Sequence, residues 1–188
     1  MRLLVNGQWQ DRWYPTEETK SRFVRTDSQF RNWITPDDSP GPSGNVDFKA
    51  EANRYHLYAS YACSWVSRTL ISCKFKDWKK IISLSVVHWH MGEEGWTFEE
   101  SKDVISGSLF NAKYLRDIYL EANNIYSTRI TVPVLRDKKT NMIVSNESSE
   151  IIRTFNNAFD KVGAKKKTII LLSCVKKSIG LMHVSMTP

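Results

Sequence analysis

Between Tyr55 and Val87 the chain reads strand, helix, strand, and that order constrains its fold more than any other feature. Tyr55 to Ala59 is a short strand-like segment. From Trp65 to Phe75, Val66, Leu70 and Cys73 fall four and three apart, which is one face of a helix. Ile81 to Val87 (IISLSVV) then reads as a buried strand. Two strands joined through a helix belong to a parallel-type sheet, because parallel neighbours need a long crossover connection. The core is therefore expected to be α/β.

Downstream, Leu109 to Ala122 reads as a helix with Leu109, Ala112, Leu115 and Tyr119 on one side. Thr131 to Leu135 and Met142 to Val144 read as strands around a turn at Asp137 to Asn141. A helix from Ser148 to Phe159 follows, with Ile151, Ile152, Phe155 and Phe159 at i, i+1, i+4 and i+8. A βαβ half, a linking helix and a ββα half make the thioredoxin-like arrangement. This body is expected over residues 49–160.

Residues 1–48 read as an extended N-terminal segment packed on the body. Gln10 to Phe48 is polar and contains Pro36, Pro40, Gly41 and Pro42, while Trp9, Trp13, Phe30 and Trp33 offer docking points. A composition break at Gly163-Ala164-Lys165-Lys166-Lys167 opens a basic tail, residues 161–188, without sustained helical or strand period. It is expected to be mobile.

The net charge of +7 divides unevenly. Six lysines and no acid follow Asp160, which leaves 21 basic and 20 acidic residues before that point. A basic tail on a neutral body does not predict a nucleic-acid partner, which calls for a basic face with interleaved aromatics. The longest nearly apolar run, Thr168 to Val175, is eight residues, far short of the roughly 20 of a membrane-spanning helix. MRLLVNGQW is too short for a signal-peptide core, so the mature protein is expected to start at Met1. Three cysteines are few and odd in number, which favours reduced thiols and a cytoplasmic location over a disulfide framework.

Cys63 stands between the first strand of that unit and its helix. The free N–H groups and dipole of a helix N-terminus favour a thiolate, so a nucleophile is one reading and a small buried hydrophobe the other. Cys73 lies on the packing face and Cys174 in the tail, so neither is placed as a resolving partner; a lone thiol implies a mixed disulfide resolved by an external thiol. Val132-Pro133 precedes a strand. A trans edge proline is the plain reading, whereas a cis proline facing the cysteine would expose the Val132 backbone to an extended peptide. Asn146-Glu147-Ser148-Ser149-Glu150 opens the last helix: Asn146 can cap it, and the same end suits an α-carboxylate with Glu147 on the adjacent ammonium. His88 and His90 share a strand face with no third ligand nearby, so no metal is expected.

FRNWIT (Phe30 to Thr35), AEANRYHLYASYACSWVSRTLI (Ala50 to Ile71), Gly95-Trp96 and RITVPVLRDKKTNMIVSNESSEIIRTFN (Arg129 to Asn156) together resemble the Xi-class glutathione transferases, the glutathionyl-hydroquinone reductases. The match covers most of residues 30 to 160. The resemblance implies a thioredoxin-like domain with an N-terminal extension, and glutathione as co-substrate without a metal. It implies Cys63 as the nucleophile and Trp96 packed on glutathione. Arg129, Ile130, Thr131 and Val132 would contact the tripeptide, with Glu147 and Ser148 at its γ-glutamyl end. Glutathionyl conjugates of quinones are the implied substrates.

Three departures accompany the match. Cys63-Ser64-Trp65-Val66-Ser67-Arg68 stands where the family reads Cys-Pro-Trp-Ala-His-Arg, Arg136 stands where a tryptophan is usual, and Thr128 where a glycine is. Proline in the first helical turn presets the backbone, so Ser64 is expected to loosen the thiol's geometry. The family also continues into an all-helical domain, and residues 161–188 do not resemble its start. Without that domain the family-type homodimer is not expected. The rival reading is an impaired truncated product that binds glutathione weakly or acts only as an interaction module.

Overall fold

The computed structural model describes residues 2–11, 27–106, 111–166 and 168. Trp13, Leu109, Cys174 and most of the expected tail lie outside the described residues. Among the described residues ten elements follow in order: strands β1 (Arg2–Val5), β2 (Gln8–Asp11) and β3 (Tyr55–Ala59), helix α1 (Ser64–Phe75), a 3-10 turn (Trp78–Lys80), strand β4 (Ser83–Val86), helix α2 (Leu115–Ala122), strands β5 (Val134–Asp137) and β6 (Ile143–Ser145), and helix α3 (Ser148–Asn157). Among the described residues no helix is long and apolar enough to cross a membrane.

The main sheet has the order β4-β3-β5-β6. β3 runs parallel to β4, as the strand, helix, strand reading requires, and antiparallel to β5, which pairs antiparallel with β6. This is the thioredoxin-like arrangement. Alternation along β3 divides the core. Tyr55 and Leu57 join Trp78, Ile151, Phe155 and Phe159 on the side of α3, whereas Tyr58 joins Leu115, Ile118 and Tyr119 of α2 on the other. α1 packs beside α3, and its fully buried positions are Val66, Thr69 and Ser72. The expected face of Val66, Leu70 and Cys73 is one that packs: Val66 is buried, Leu70 and Cys73 are half-buried against the core, and Thr69 and Ser72 extend this face as buried hydroxyl side chains. The outer side of α1 leaves Trp65, Ile71 and Phe75 more than half exposed.

Several boundaries differ from the sequence reading for identifiable reasons. β5 starts at Val134, after Pro133, whose missing N–H cannot enter the ladder. α2 starts at Leu115, because the Asp117 carboxylate accepts the Tyr114 N–H (2.9 Å) and stops the helix from extending back to Ala112. β4 is shorter than Ile81 to Val87, since Ile81 still hydrogen-bonds back to Trp78 O (2.8 Å) in the 3-10 turn.

The N-terminal segment is partly ordered as a hairpin. Val5 pairs with Gln8 across Asn6-Gly7, both at positive φ (47° and 77°), the backbone a two-residue primed turn demands. A second stretch, residues 27–48, straps the body. Phe30 stacks on Tyr126 (5.5 Å between ring centroids), and Arg31 pairs with Glu150 of α3.

One buried group ties this sheet to pH. His56 of β3 is 2% exposed, with Nδ1 2.7 Å from Ser83 Oγ and Nε2 2.9 Å from Ser85 Oγ. Burial, with Lys138 and Arg136 adding repulsion, pushes its pKa down to about 4. The unfolded chain, with an ordinary histidine near 6.5, takes up a proton that the fold refuses. His56 therefore contributes its full stability above that pH and loses it as pH falls towards about 4, by about 3 kcal/mol in all. Urea midpoints measured from pH 7.5 to 5 should fall across this window and flatten in His56→Gln. An unchanged slope in that variant would assign the pH dependence elsewhere.

Candidate functional site

Cys63 occupies the N-cap of α1 in extended backbone (φ −101°, ψ 115°), half-buried, at the point where β3 hands over to the helix. Its carbonyl accepts the N–H groups of Val66 (3.1 Å) and Ser67 (3.3 Å), so the helix starts cleanly on Ser64 without a proline. The thiol faces the segment before β5: Sγ lies 3.9 Å from Val132 O. The Val132-Pro133 peptide is cis.

Tyr119 sets that facing segment. Its hydroxyl, buried at the centre of the α2 side, donates to Thr131 O (2.8 Å) and accepts from Thr131 N (3.4 Å) and Asn146 Nδ2 (3.3 Å). One donor and two lone pairs are thereby used, and α2, the Thr131 loop and the entry to α3 are joined at one atom. Ile130 and Val132 bury their side chains in the same cluster, leaving only backbone for any ligand. Arg129 is half-buried, and burial lowers its pKa from the ordinary arginine value.

The N-terminus of α3 differs from the sequence expectation. Glu147, rather than Asn146, is the N-cap, and its Oε1 accepts Ser149 N (3.1 Å) and the Ser149 hydroxyl (2.9 Å). Asn146 is drawn inward to Tyr119, and its Oδ1 accepts the Phe30 N–H (3.3 Å). From α1, Arg68 reaches across to this end. Nε donates to Ser148 Oγ (3.1 Å), Nη2 donates to the same oxygen, and Nη2 lies 3.7 Å from Glu147 Oε1. The helix that begins at Cys63 is thus tied to the pair Glu147–Ser148.

Trp96 is half-buried on the loop after β4 and packs on the same cluster as Cys63; its carbonyl accepts the first N–H of α2 (2.9 Å). The hairpin buttresses this loop. Trp9 Nε1 donates to Glu93 O (3.3 Å), and Arg116 lies over the Trp9 ring (5.0 Å) while bonding Glu94. Gly95 has φ +82°, and a methyl group there would stand 3.0 and 3.1 Å from the Trp9 ring. Gly95→Ala should therefore cost roughly 1–3 kcal/mol, read as a lowered denaturant midpoint. Full stability in that variant would show that this loop does not depend on its glycine.

Cys63 and Val132 thus meet directly, Glu147 and Ser148 stand together at the next helix end, and Trp96 and Arg129 belong to separate loops of the same side. Among the described residues no cluster of three His, Cys, Asp or Glu could hold a metal ion.

No family model matches the chain. It is, however, 52% identical over 166 residues to glutathionyl-hydroquinone reductase YqjG of Escherichia coli (strain K12), a match taking in 88% of this chain and 51% of that protein. The glutathione-bound structure of YqjG from Escherichia coli K-12 superposes with a TM-score of 0.79 at 45% identity, over 93% of this chain and 51% of that one. The crystal structure of the glutathione S-transferase Xi from Phanerochaete chrysosporium does so with a TM-score of 0.73 at 42% identity, over 86% of this chain and 53% of that one. The chain belongs to the Xi-class glutathione transferases. It spans about half the length of the curated relatives it matches.

Against this Xi-class background, the departures have structural answers. Arg136 is fully buried, with Nη2 3.1 Å from Glu121 Oε2, so a cation fills the usual tryptophan position by pairing with α2. The Thr128 carbonyl accepts the Leu4 N–H (3.0 Å), which anchors β1 just ahead of Arg129. The sequence reading took Tyr119 and Trp9 only as packing residues and gave Arg68 no role. Only the Asn6-Gly7 turn, flanked by MRLLV and QWQ, gave a signal for the hairpin that carries Trp9.

Proposed function

We propose that this chain carries the thiol chemistry of a glutathione-dependent transferase of the glutathionyl-hydroquinone reductase type, acting in the reducing cytoplasm. The observation that carries the reading is the Cys63 thiol at the N-cap of α1, 3.9 Å from Val132 O. A thiol there sits at the N-terminus of a helix and opposite a backbone segment that an extended peptide can pair with. Val132 serves that pairing, with Arg129, Ile130 and Thr131 shaping the approach. Trp96 packs on the tripeptide, and Glu147 with Ser148 holds its γ-glutamyl end.

The Cys63 thiolate attacks the glutathionyl sulfur of a glutathionyl-hydroquinone. The bond between that sulfur and the ring carbon breaks, its electron pair stays on the ring, and the carbon takes a proton, giving free hydroquinone and a Cys63-glutathione disulfide. A second glutathione, as thiolate, attacks the glutathione sulfur of this disulfide. Glutathione disulfide leaves and the Cys63 thiolate returns. The ring carbon is reduced while the thioether sulfur and one thiol become a disulfide, so no metal or further redox carrier enters the balance.

The test is turnover of a glutathionyl-hydroquinone with glutathione by the full chain, followed by chromatography. Hydroquinone and glutathione disulfide should form in equal amounts. Absence of glutathione-dependent exchange on this conjugate and on small mixed disulfides alike would overturn the reading.

A further inference from the structure

We propose that Arg68 is a ligand-binding residue, receiving the α-carboxylate of the γ-glutamyl end together with the Ser148 hydroxyl, while Glu147 takes the adjacent ammonium. The inference rests on the proposed function above and assigns to that site a residue outside the group compared so far. Among the described residues both hydrogen bonds of Arg68 go to Ser148 Oγ, from Nε (3.1 Å) and Nη2. A serine hydroxyl has two lone pairs and one proton, so these two donors occupy its accepting capacity and leave the O–H to donate. A donor hydroxyl beside a guanidinium is a fit for a carboxylate and a misfit for a cation.

Glu147 supplies the opposite sign next to it. Its Oε1 lies 3.7 Å from Arg68 Nη2, its side chain is 16% exposed, and that of Arg68 is 36% exposed. The two charges stand side by side but too far apart for a tight hydrogen bond, and Glu147 also accepts Ser149 N, the Ser149 hydroxyl and the Ser28 hydroxyl (3.3 Å), so a ligand that brings an anion and a cation on one carbon would add to these contacts. Arg68 is held for this task from behind, with its guanidinium over the Trp65 ring at 5.0 Å. It also follows Cys63 by five residues on the same helix, a rise of roughly 7 Å at 1.5 Å per residue, so thiol and guanidinium keep a fixed separation.

Three peptides separate the contributions: glutathione, 4-aminobutanoyl-Cys-Gly, which lacks the α-carboxylate, and glutaryl-Cys-Gly, which lacks the ammonium. Calorimetry on the full chain should give glutathione at least about tenfold tighter binding than either analogue, as charge-assisted hydrogen bonds imply. Arg68→Gln should abolish the preference for glutathione over 4-aminobutanoyl-Cys-Gly and leave affinity for that analogue unchanged. Arg68→Lys should restore part of the preference, and Glu147→Gln should spare it while erasing discrimination against glutaryl-Cys-Gly. If Arg68 merely clamps α1 to α3, Arg68→Gln will weaken all three ligands by one common factor, which overturns the proposal. Equal binding of glutathione and 4-aminobutanoyl-Cys-Gly by the unaltered chain also overturns it, with the functional reading intact. If the unaltered chain binds none of the three, the functional reading fails and this inference with it.

Discussion

Cys63→Ser removes glutathione-dependent thiol exchange, by at least roughly a thousandfold, because a serine hydroxyl at neutral pH is no substitute for a thiolate. Cys73→Ser and Cys174→Ser keep the activity. Burial pushes the Cys73 thiol up to about 12, so it stays protonated and unreactive inside the α1 packing. The rate of exchange with a small glutathionyl disulfide, compared across the three variants, reads this out. Residual activity in Cys63→Ser that vanishes on replacing Cys73 would reverse the assignment.

Asp137→Ala costs about 3–5 kcal/mol of stability, the usual effect of breaking a buried ion pair from one side. Asp137 at the end of β5 is fully buried and holds Arg54 in a fork, with Oδ1 3.0 Å from Nε and Oδ2 2.6 Å from Nη2. Its carboxylate also accepts Lys139 N (2.9 Å) and the Thr140 hydroxyl (3.0 Å), which shapes the turn into β6. Burial works to raise the Asp137 pKa, but Arg54, Lys139 and Thr140 outweigh it and hold the carboxyl below its ordinary value. The pair's contribution is therefore complete above the ordinary carboxylate range and is lost as pH falls through the lowered value. Adding Arg54→Met to Asp137→Ala should recover more than half of the loss in urea denaturation, since the buried cation, left with Glu51 and the Asp47 carbonyl, is then gone. A loss under about 1 kcal/mol in the single variant would show that water replaces the fork at little cost.

The central unit was legible because its apolar runs are short and local. Tyr55 to Ala59 is buried at every position, as a strand inside a sheet must be, and Ile81 to Val87 announced its partner. Helix ends were less legible, because several residues in a row could cap and tertiary contacts chose among them. Asn146 is the better cap by type, yet Tyr119 and Phe30 claim its amide, and Glu147 inherits the position. The site was legible where backbone position defines it, as for Cys63 at a strand-to-helix junction. Its cross-element parts were hidden: no spacing along the chain says that Arg68 meets Ser148 eighty residues later, or that Trp9 supports Gly95. The hairpin is the exception, since the Asn6-Gly7 turn signal stood in the sequence within residues 1–48, read there only as an extended segment.

The most direct test of the account is to find which cysteine takes up glutathione. The full chain, incubated with glutathione disulfide at neutral pH and digested without reducing agent, should yield one glutathionylated peptide, that containing Cys63, and reduced glutathione should release the adduct completely. Modification at Cys73 or Cys174 with Cys63 untouched, or an adduct at Cys63 that glutathione fails to release, would contradict it.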